Sequence, residues 1–156
     1  MRVFASVGTH PQPFDRLIRE LDIVAAGKRA NFFAQTGSCS FAPKNFPFKN
    51  FLSGKEFEEK IAEADIVVSH GGAGTIINSL LQGKKLVVVP RLKRFGEHTN
   101  DHQLDLARAL EREGKAISVE SIADLGKAIE NAVSFRPRVA SNKQGLIVEI
   151  RKFLET

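Results

Sequence analysis

The run Ser69-His70-Gly71-Gly72-Ala73-Gly74-Thr75 sets three glycines between an apolar stretch, Ile66-Val67-Val68, and a helical pattern that begins at about Thr75. Glycines at a strand-to-helix junction let backbone approach a ligand closely and leave the first N–H groups of the helix unpaired. Those donors, with the positive end of the helix dipole, favour a phosphate or diphosphate. A second β-run, Lys85-Leu-Val-Val-Val-Pro90, follows Gly83. The arrangement reads as a βαβ unit with an anion site at its crest, where open α/β sheets bind ligands.

Two further segments carry groups suited to a ligand. Arg91-Leu-Lys-Arg-Phe-Gly-Glu-His-Thr-Asn-Asp-His-Gln103 lies beyond the end of a strand, at the same rim as the glycines. Its hydroxyl, amide and imidazole groups suit a sugar, which is recognised by many directed hydrogen bonds. An ordinary polar loop with Asn100 or Asp101 as helix cap fits it equally well. The segment Gly8-Thr9-His10-Pro11-Gln12-Pro13-Phe14-Asp15 lies on that rim too. His10 is a candidate for a diphosphate or catalytic contact, and a turn-stabilising role suits it as well. The glycines do not follow G-x-G-x-x-G, and neither G-x-x-x-x-G-K-[ST] nor G-x-S-x-G occurs. His98 and His102 stand four apart without a His-Glu-x-x-His pattern or a cysteine pair, so no metal site is expected.

The elements that would position these groups alternate along the chain. Strands are expected at Val3–Val7, Ala30–Gln35, Phe46–Leu52, Ile66–Ser69, Leu86–Val89 and Ala116–Val119. Helices are expected at Phe14–Ala26, closed by Gly27, and at Thr75–Gln82, His98–Glu113 and Gln144–Leu154. Ser53 with Glu56 forms a capping box ahead of a helix carrying Phe57, Ile61 and Ala64. Ser121 is expected to cap a helix with Ile122, Leu125, Ile129 and Val133. Ser134–Lys143 reads as a surface crossing. This rhythm predicts an α/β fold: one Rossmann-like, doubly wound, mostly parallel sheet over residues 1–156.

Size and composition agree. The chain has 156 residues, 42% of them hydrophobic, enough for one domain with a real core. Its single cysteine, Cys39, excludes an intrachain disulfide and suits a reducing compartment. No apolar run approaches a membrane span of roughly 20 residues, and the first residues lack the apolar core of a secretion signal. The net charge is +5 and the pI about 9.6. The excess sits in separate spots, Lys28-Arg29, Lys84-Lys85, Arg91-Lys93-Arg94 and Arg136-Arg138, so a solvated basic surface is favoured over a nucleic-acid track.

Taken in order, Ser69-His-Gly-Gly-Ala-Gly-Thr75, Gly83-Lys-x-Leu-Val-Val-Val-Pro90 and Asn100-Asp-His-Gln-Leu-x-Leu-Ala107 resemble the C-terminal, donor-binding half of GT-B glycosyltransferases. Val7-Gly8-Thr9 followed by Phe14-Asp15-x-Leu17 adds a fourth motif in register, and the resemblance runs from about Val3 to Ala132. Within that family the chain most resembles the small soluble subunit of two-subunit enzymes. One such enzyme adds N-acetylglucosamine to a dolichol-linked acceptor, and others build bacterial exopolysaccharide on a lipid carrier.

The resemblance implies a UDP-sugar donor as substrate, with no cofactor and no metal. Its binding set is Gly8, Thr9, His70, Gly71, Gly72, Ala73, Gly74, Thr75, Asn78, Arg91, His102 and Gln103. Gly71–Thr75 surround the diphosphate, and Gln103 lies near the sugar. Many relatives have a ribose-binding glutamate where this chain has Asn78, which lacks charge assistance. A GT-B enzyme works between two halves, and this chain offers one that starts at once on its first strand. A membrane-anchored, acceptor-binding subunit and a lipid-linked acceptor are therefore the expected partners, with no nucleic acid. The expected place is the cytoplasmic face of a membrane. The alternative is a nucleotide-binding regulatory module without catalysis, which would have no use for the polar groups of Arg91–Gln103. An epimerase-like half would want acidic pairs across a cleft.

Overall fold

The computed structural model describes residues 1–138 and 142–154. Its strands are β1 (Arg2–Ser6), β2 (Asn31–Gln35), β3 (Phe48–Lys49), β4 (Ile66–Ser69), β5 (Lys85–Val88) and β6 (Ile117–Ser118). The helices are α1 (Asp15–Ala26), α2 (Gly54–Glu63), α3 (Ala73–Leu81), α4 (His102–Arg112), α5 (Leu125–Ser134) and α6 (Lys143–Leu154). The strands form one sheet in the order β3-β2-β1-β4-β5-β6, and every pair is parallel. The order reverses between β1 and β4, which makes that junction the switch point of a doubly wound sheet.

The central strands are buried on both faces, and their side chains alternate between two cores. Val3, Ala5, Ile66, Val68, Val87 and Val89 join α1 and α5 on one side. Phe4, Val67, Leu86 and Val88 meet Ile61, Ile76, Leu106 and Leu146 on the other, under α2, α3, α4 and α6. The apolar spacing in α1 explains its seat: Leu17, Ile18 and Leu21 are inaccessible to solvent, while Ile23 points outward.

The capping box ahead of α2 is present. Ser53 accepts from the Glu56 backbone N–H, and Glu56 accepts from that of Ser53. Other boundaries differ from expectation. The strand expected over Phe46–Leu52 shrinks to two residues at the sheet edge, because only Ala34 and Gln35 pair with it. The helix expected from His98 begins at His102. Ahead of it a short helical turn, Lys93–Phe95, ends at Gly96 in the left-handed region (φ 68). Side chains then hold the loop: Asp101 accepts from the Lys93 N–H at 2.9 Å and Asn100 from the His102 N–H at 3.0 Å. Ser121 makes no side-chain cap; a short turn at Ile122–Asp124 leads into α5 instead. Residues 139–141 of the expected surface crossing lie outside the described residues.

Candidate functional site

Four loops leave the C-terminal ends of the strands and meet over the β1–β4 switch point. They connect β1 to α1, β3 to α2, β4 to α3 and β5 to α4. Between the first three of these loops lies an open cleft of about 460 Å³. Gly8, Thr9 and His10 form one wall; His70, Gly72, Gly74 and Thr75 form the floor and the opposite wall. The far end is lined by Gln35, Leu52, Ser53 and Phe57.

The floor is the start of α3. Gly72 occupies the N-cap position with extended backbone and no side-chain cap, and no acidic residue stands in the first turn. The leading N–H groups of α3 are thus left to solvent or a ligand. Gly71 adopts φ 97, which favours glycine, and a Cβ there would meet Gln103 at 3.0 Å. A Cβ on Gly74 would meet nothing within 4 Å, so the space over the first turn is open.

His70 is pinned beneath this floor. Its Nδ1 lies 3.2 Å from the carbonyl oxygen of Ser6. A carbonyl only accepts, so Nδ1 carries the hydrogen and Nε2 is left with a lone pair. Nε2 faces the glycine loops: it lies 2.3 Å from where a Gly72 Cβ would stand and 2.7 Å from the matching point on Gly8. Burial, helped by the nearby Arg91 charge, pushes the His70 pKa down to about 3. The ring is therefore neutral at physiological pH.

Arg91, expected to meet the ligand, sits instead inside the protein, only 1% exposed. Its guanidinium donates to the carbonyls of Gln12, Pro13, Glu97 and Val7 at 2.8, 3.4, 3.2 and 2.8 Å. It fastens the β1 loop to the β5 loop. The Glu97 carboxylate is engaged elsewhere, by Arg16 Nε and Nη2 and by the Leu92 N–H, each at 3.0 Å. Arg91 therefore hydrogen-bonds to neutral carbonyls, while the nearby Glu97 charge acts on it through space.

Gln103 is buried, and its Oε1 accepts from the Arg91 N–H at 3.0 Å. One end of its amide is structural, which leaves Nε2 for any contact above Gly71. His102 opens α4 beside it, half-buried. His10 stacks on His98 with ring centres 5.7 Å apart, while its Nδ1 accepts from the Gln12 N–H at 3.2 Å. That bond supports the turn-stabilising role and leaves Nε2 of His10 outward. Asn78 departs from expectation: its amide folds back along α3 to donate to the Gly74 carbonyl at 2.9 Å, and it does not line the cleft. Ala73 packs its methyl against the core and contributes backbone only.

Several cleft residues escaped the sequence reading. Gln35 donates to the Ser6 hydroxyl at 3.3 Å and the Gly8 carbonyl at 3.4 Å, and accepts from the Leu52 N–H at 3.0 Å. It ties three loops together. Its place at the C-terminal end of a strand was the available signal. Leu52 and Phe57 add an apolar wall that only the α2 packing reveals. Among the described residues no cluster of three or more His, Cys, Asp or Glu is placed to hold a metal ion.

The geometry has known counterparts. Residues 2–155 match the glycosyltransferase family 28 C-terminal domain. The chain is 33% identical over 124 residues to mouse UDP-N-acetylglucosamine transferase subunit ALG13, covering 72% of this chain and 10% of that protein. It thus spans about a tenth of the mouse relative's length. The solution structure of ALG13 superposes with a TM-score of 0.66 at 15% identity, covering 99% of this chain and 97% of that one. The crystal structure of the glycotransferase of kitacinnamycin gives 0.68 at 24% identity, covering 97% of this chain and 39% of its counterpart. These two likenesses, at such identities, speak for the fold alone. With its motifs in register and the domain match running almost end to end, the chain belongs to the glycosyltransferase family 28 C-terminal domains.

Proposed function

We propose that this chain is the donor-binding part of a glycosyltransferase that takes a UDP-sugar and serves a lipid-linked acceptor. The single observation that carries this reading is the cleft at the β1–β4 switch point, floored by the uncapped start of α3. A diphosphate fits that floor through backbone N–H groups and the helix dipole, which stabilise the charge of a departing UDP without a metal. The apolar end at Leu52 and Phe57 suits a nucleoside base, with Gln35 at its edge. The polar segment ending in His102 and Gln103 suits the sugar.

The reaction is attack of an acceptor hydroxyl on the anomeric carbon, with UDP leaving. Alignment of donor, acceptor and base in a closed cleft supplies much of the rate. This sheet offers one wall of such a cleft, open to solvent above His10 and Gly74. The other wall, with the acceptor site, the base and the membrane anchor, belongs to a partner subunit. No helix among the described residues is long and apolar enough to cross a membrane. The mouse relative, itself a transferase subunit by name, supports the same division of labour. Exopolysaccharide or glycolipid synthesis is the process that fits.

Calorimetric titration with UDP, UDP-N-acetylglucosamine and ADP tests the donor site. UDP compounds are expected to bind one per chain and more tightly than ADP. Equal affinity for UDP and its sugars, with no transfer on adding the partner, would favour a nucleotide-binding regulatory module.

A further inference from the structure

Two of the four histidines, His10 and His70, line the cleft, and His98 stacks on His10. His70 differs from the others because both of its nitrogens have defined tasks. Nδ1–H is committed to the Ser6 carbonyl, which also accepts the His70 backbone N–H at 3.3 Å. Nε2 presents a bare lone pair toward Gly72 and Gly8.

A diphosphate seated on the start of α3 brings anionic oxygens to the Gly72 side of this ring. A lone pair facing a phosphate oxygen repels it; a proton between them makes a charge-assisted hydrogen bond. The ring cannot turn its existing hydrogen toward the ligand without abandoning Ser6 and striking the glycine backbone. The proton must come from solvent. Resting on the donor-site reading, we infer that His70 meets the diphosphate as an imidazolium, so that each nucleotide-sugar carries one proton into the protein.

The groups around the ring set the free state. Arg91 stands behind it on the β5 loop, His10 above it on the β1 loop and His98 on the segment before α4. Burial comes first, and Arg91 with the neighbouring imidazoles adds to it; only the Ser6 carbonyl favours the charged form. His70 is therefore unprotonated until an anion arrives. Binding then converts imidazole and a solvent proton into imidazolium, and a positive group stands against the diphosphate that must later depart. A group that gains a proton on binding makes affinity rise as pH falls, from the bound-state pKa down to the free-state value.

The test uses the unaltered chain and UDP-N-acetylglucosamine, whose diphosphate is esterified at both ends and keeps its charge around neutral pH. Calorimetry at about pH 6 in two buffers of different ionisation enthalpy counts the protons. The expected result is a net uptake that rises toward one proton per ligand as the titration is repeated at lower pH, with affinity rising by up to about tenfold per pH unit lowered. Nitrogen NMR of the histidine rings locates the proton: Nε2 of His70 is bare in the free chain and protonated at saturation. His70→Gln, whose amide can donate without titrating, flattens the pH dependence. Tight binding with no proton uptake, or with Nε2 of His70 still bare, overturns the inference and leaves the donor site standing. Absence of any UDP or UDP-sugar binding overturns both.

Discussion

Gly72→Ala is the smallest change that strikes the floor of the site. Gly72 has φ −77 and ψ 139, a conformation that alanine adopts freely, so backbone strain contributes nothing. The new Cβ would lie 2.3 Å from Nε2 and 2.4 Å from Cε1 of His70. Carbon contacts need roughly 3.5 Å, so the ring must retreat by about 1 Å. It is held by the Ser6 carbonyl at 3.2 Å and hemmed by Gly8, where a Cβ would already stand 2.7 Å away. Losing that hydrogen bond costs about 1 kcal/mol, and overpacking a tight site costs about 1–3 kcal/mol. For a domain of this size, each kcal/mol lowers the melting temperature by about 2–4 °C. The expected drop is therefore about 4–16 °C. UDP affinity should fall by about tenfold, because moving the ring disturbs the Gly8 and Gly72 loops that frame the diphosphate seat. Differential scanning calorimetry and UDP titration of the same preparation read both effects. Gly74→Ala is the comparison: open space surrounds its Cβ, and helix propensity favours alanine by about 0.5–1 kcal/mol, so the fold should not weaken. A Gly72→Ala protein with unchanged melting temperature and unchanged UDP affinity would show that neither His70 nor the diphosphate seat lies against Gly72.

Gln103→Ala leaves the Arg91 N–H unpaired in the interior, so denaturant unfolding should show a loss of about 1–3 kcal/mol, with UDP-sugar affinity falling more than UDP affinity. Arg91→Met leaves the carbonyls of Val7, Gln12 and Pro13 without their donor; chemical denaturation should show a loss of about 3–5 kcal/mol or failure to fold. His70 also sets a pH dependence of stability. Its folded pKa, about 3, lies below the unfolded value near 6.5, so the unfolded chain binds the extra proton between them. The stability is complete above about pH 6.5 and drains as pH falls toward the folded value, at roughly 1.4 kcal/mol per pH unit. Urea midpoints across that window should slope accordingly, and His70→Gln should reduce the slope.

The parts of the molecule legible in the sequence are those written by local periodicity. Ile66-Val67-Val68 and Leu86-Val87-Val88 are buried on both faces, so they read as unbroken apolar runs, and their partners in a parallel sheet follow from the alternation with helices. The glycine loop is legible because glycines weaken both strand and helix, so three of them packed into a junction mark a close approach of backbone to something else. Arg91 shows the limit. Its polar neighbours imply a ligand contact, yet its four partners are main-chain carbonyls, one of them 84 positions away at Val7. No spacing rule encodes such a bond. The start of α4 is hidden for a related reason: the loop before it is held by Asn100 and Asp101, which spend their side chains on nearby N–H groups rather than joining the helix. Asn78 does lie on its helix, while its preference for the Gly74 carbonyl depends on a rotamer that sequence does not display. Gln35 reaches the cleft from the end of β2, and Leu52 and Phe57 reach it from the loop before α2 and its first turn, so only their assembly against the β1 and β4 loops reveals them.

Backbone NMR of the chain titrated with UDP-N-acetylglucosamine shows where on the sheet the donor sits. Saturable shifts are expected at Gly8–His10, Gly71–Thr75 and Leu52–Gly54, with weaker ones near His102 and Gln103. Shifts centred on the opposite end of the sheet, around Asn31 and Glu63, or no saturable shift at all, would contradict that placement.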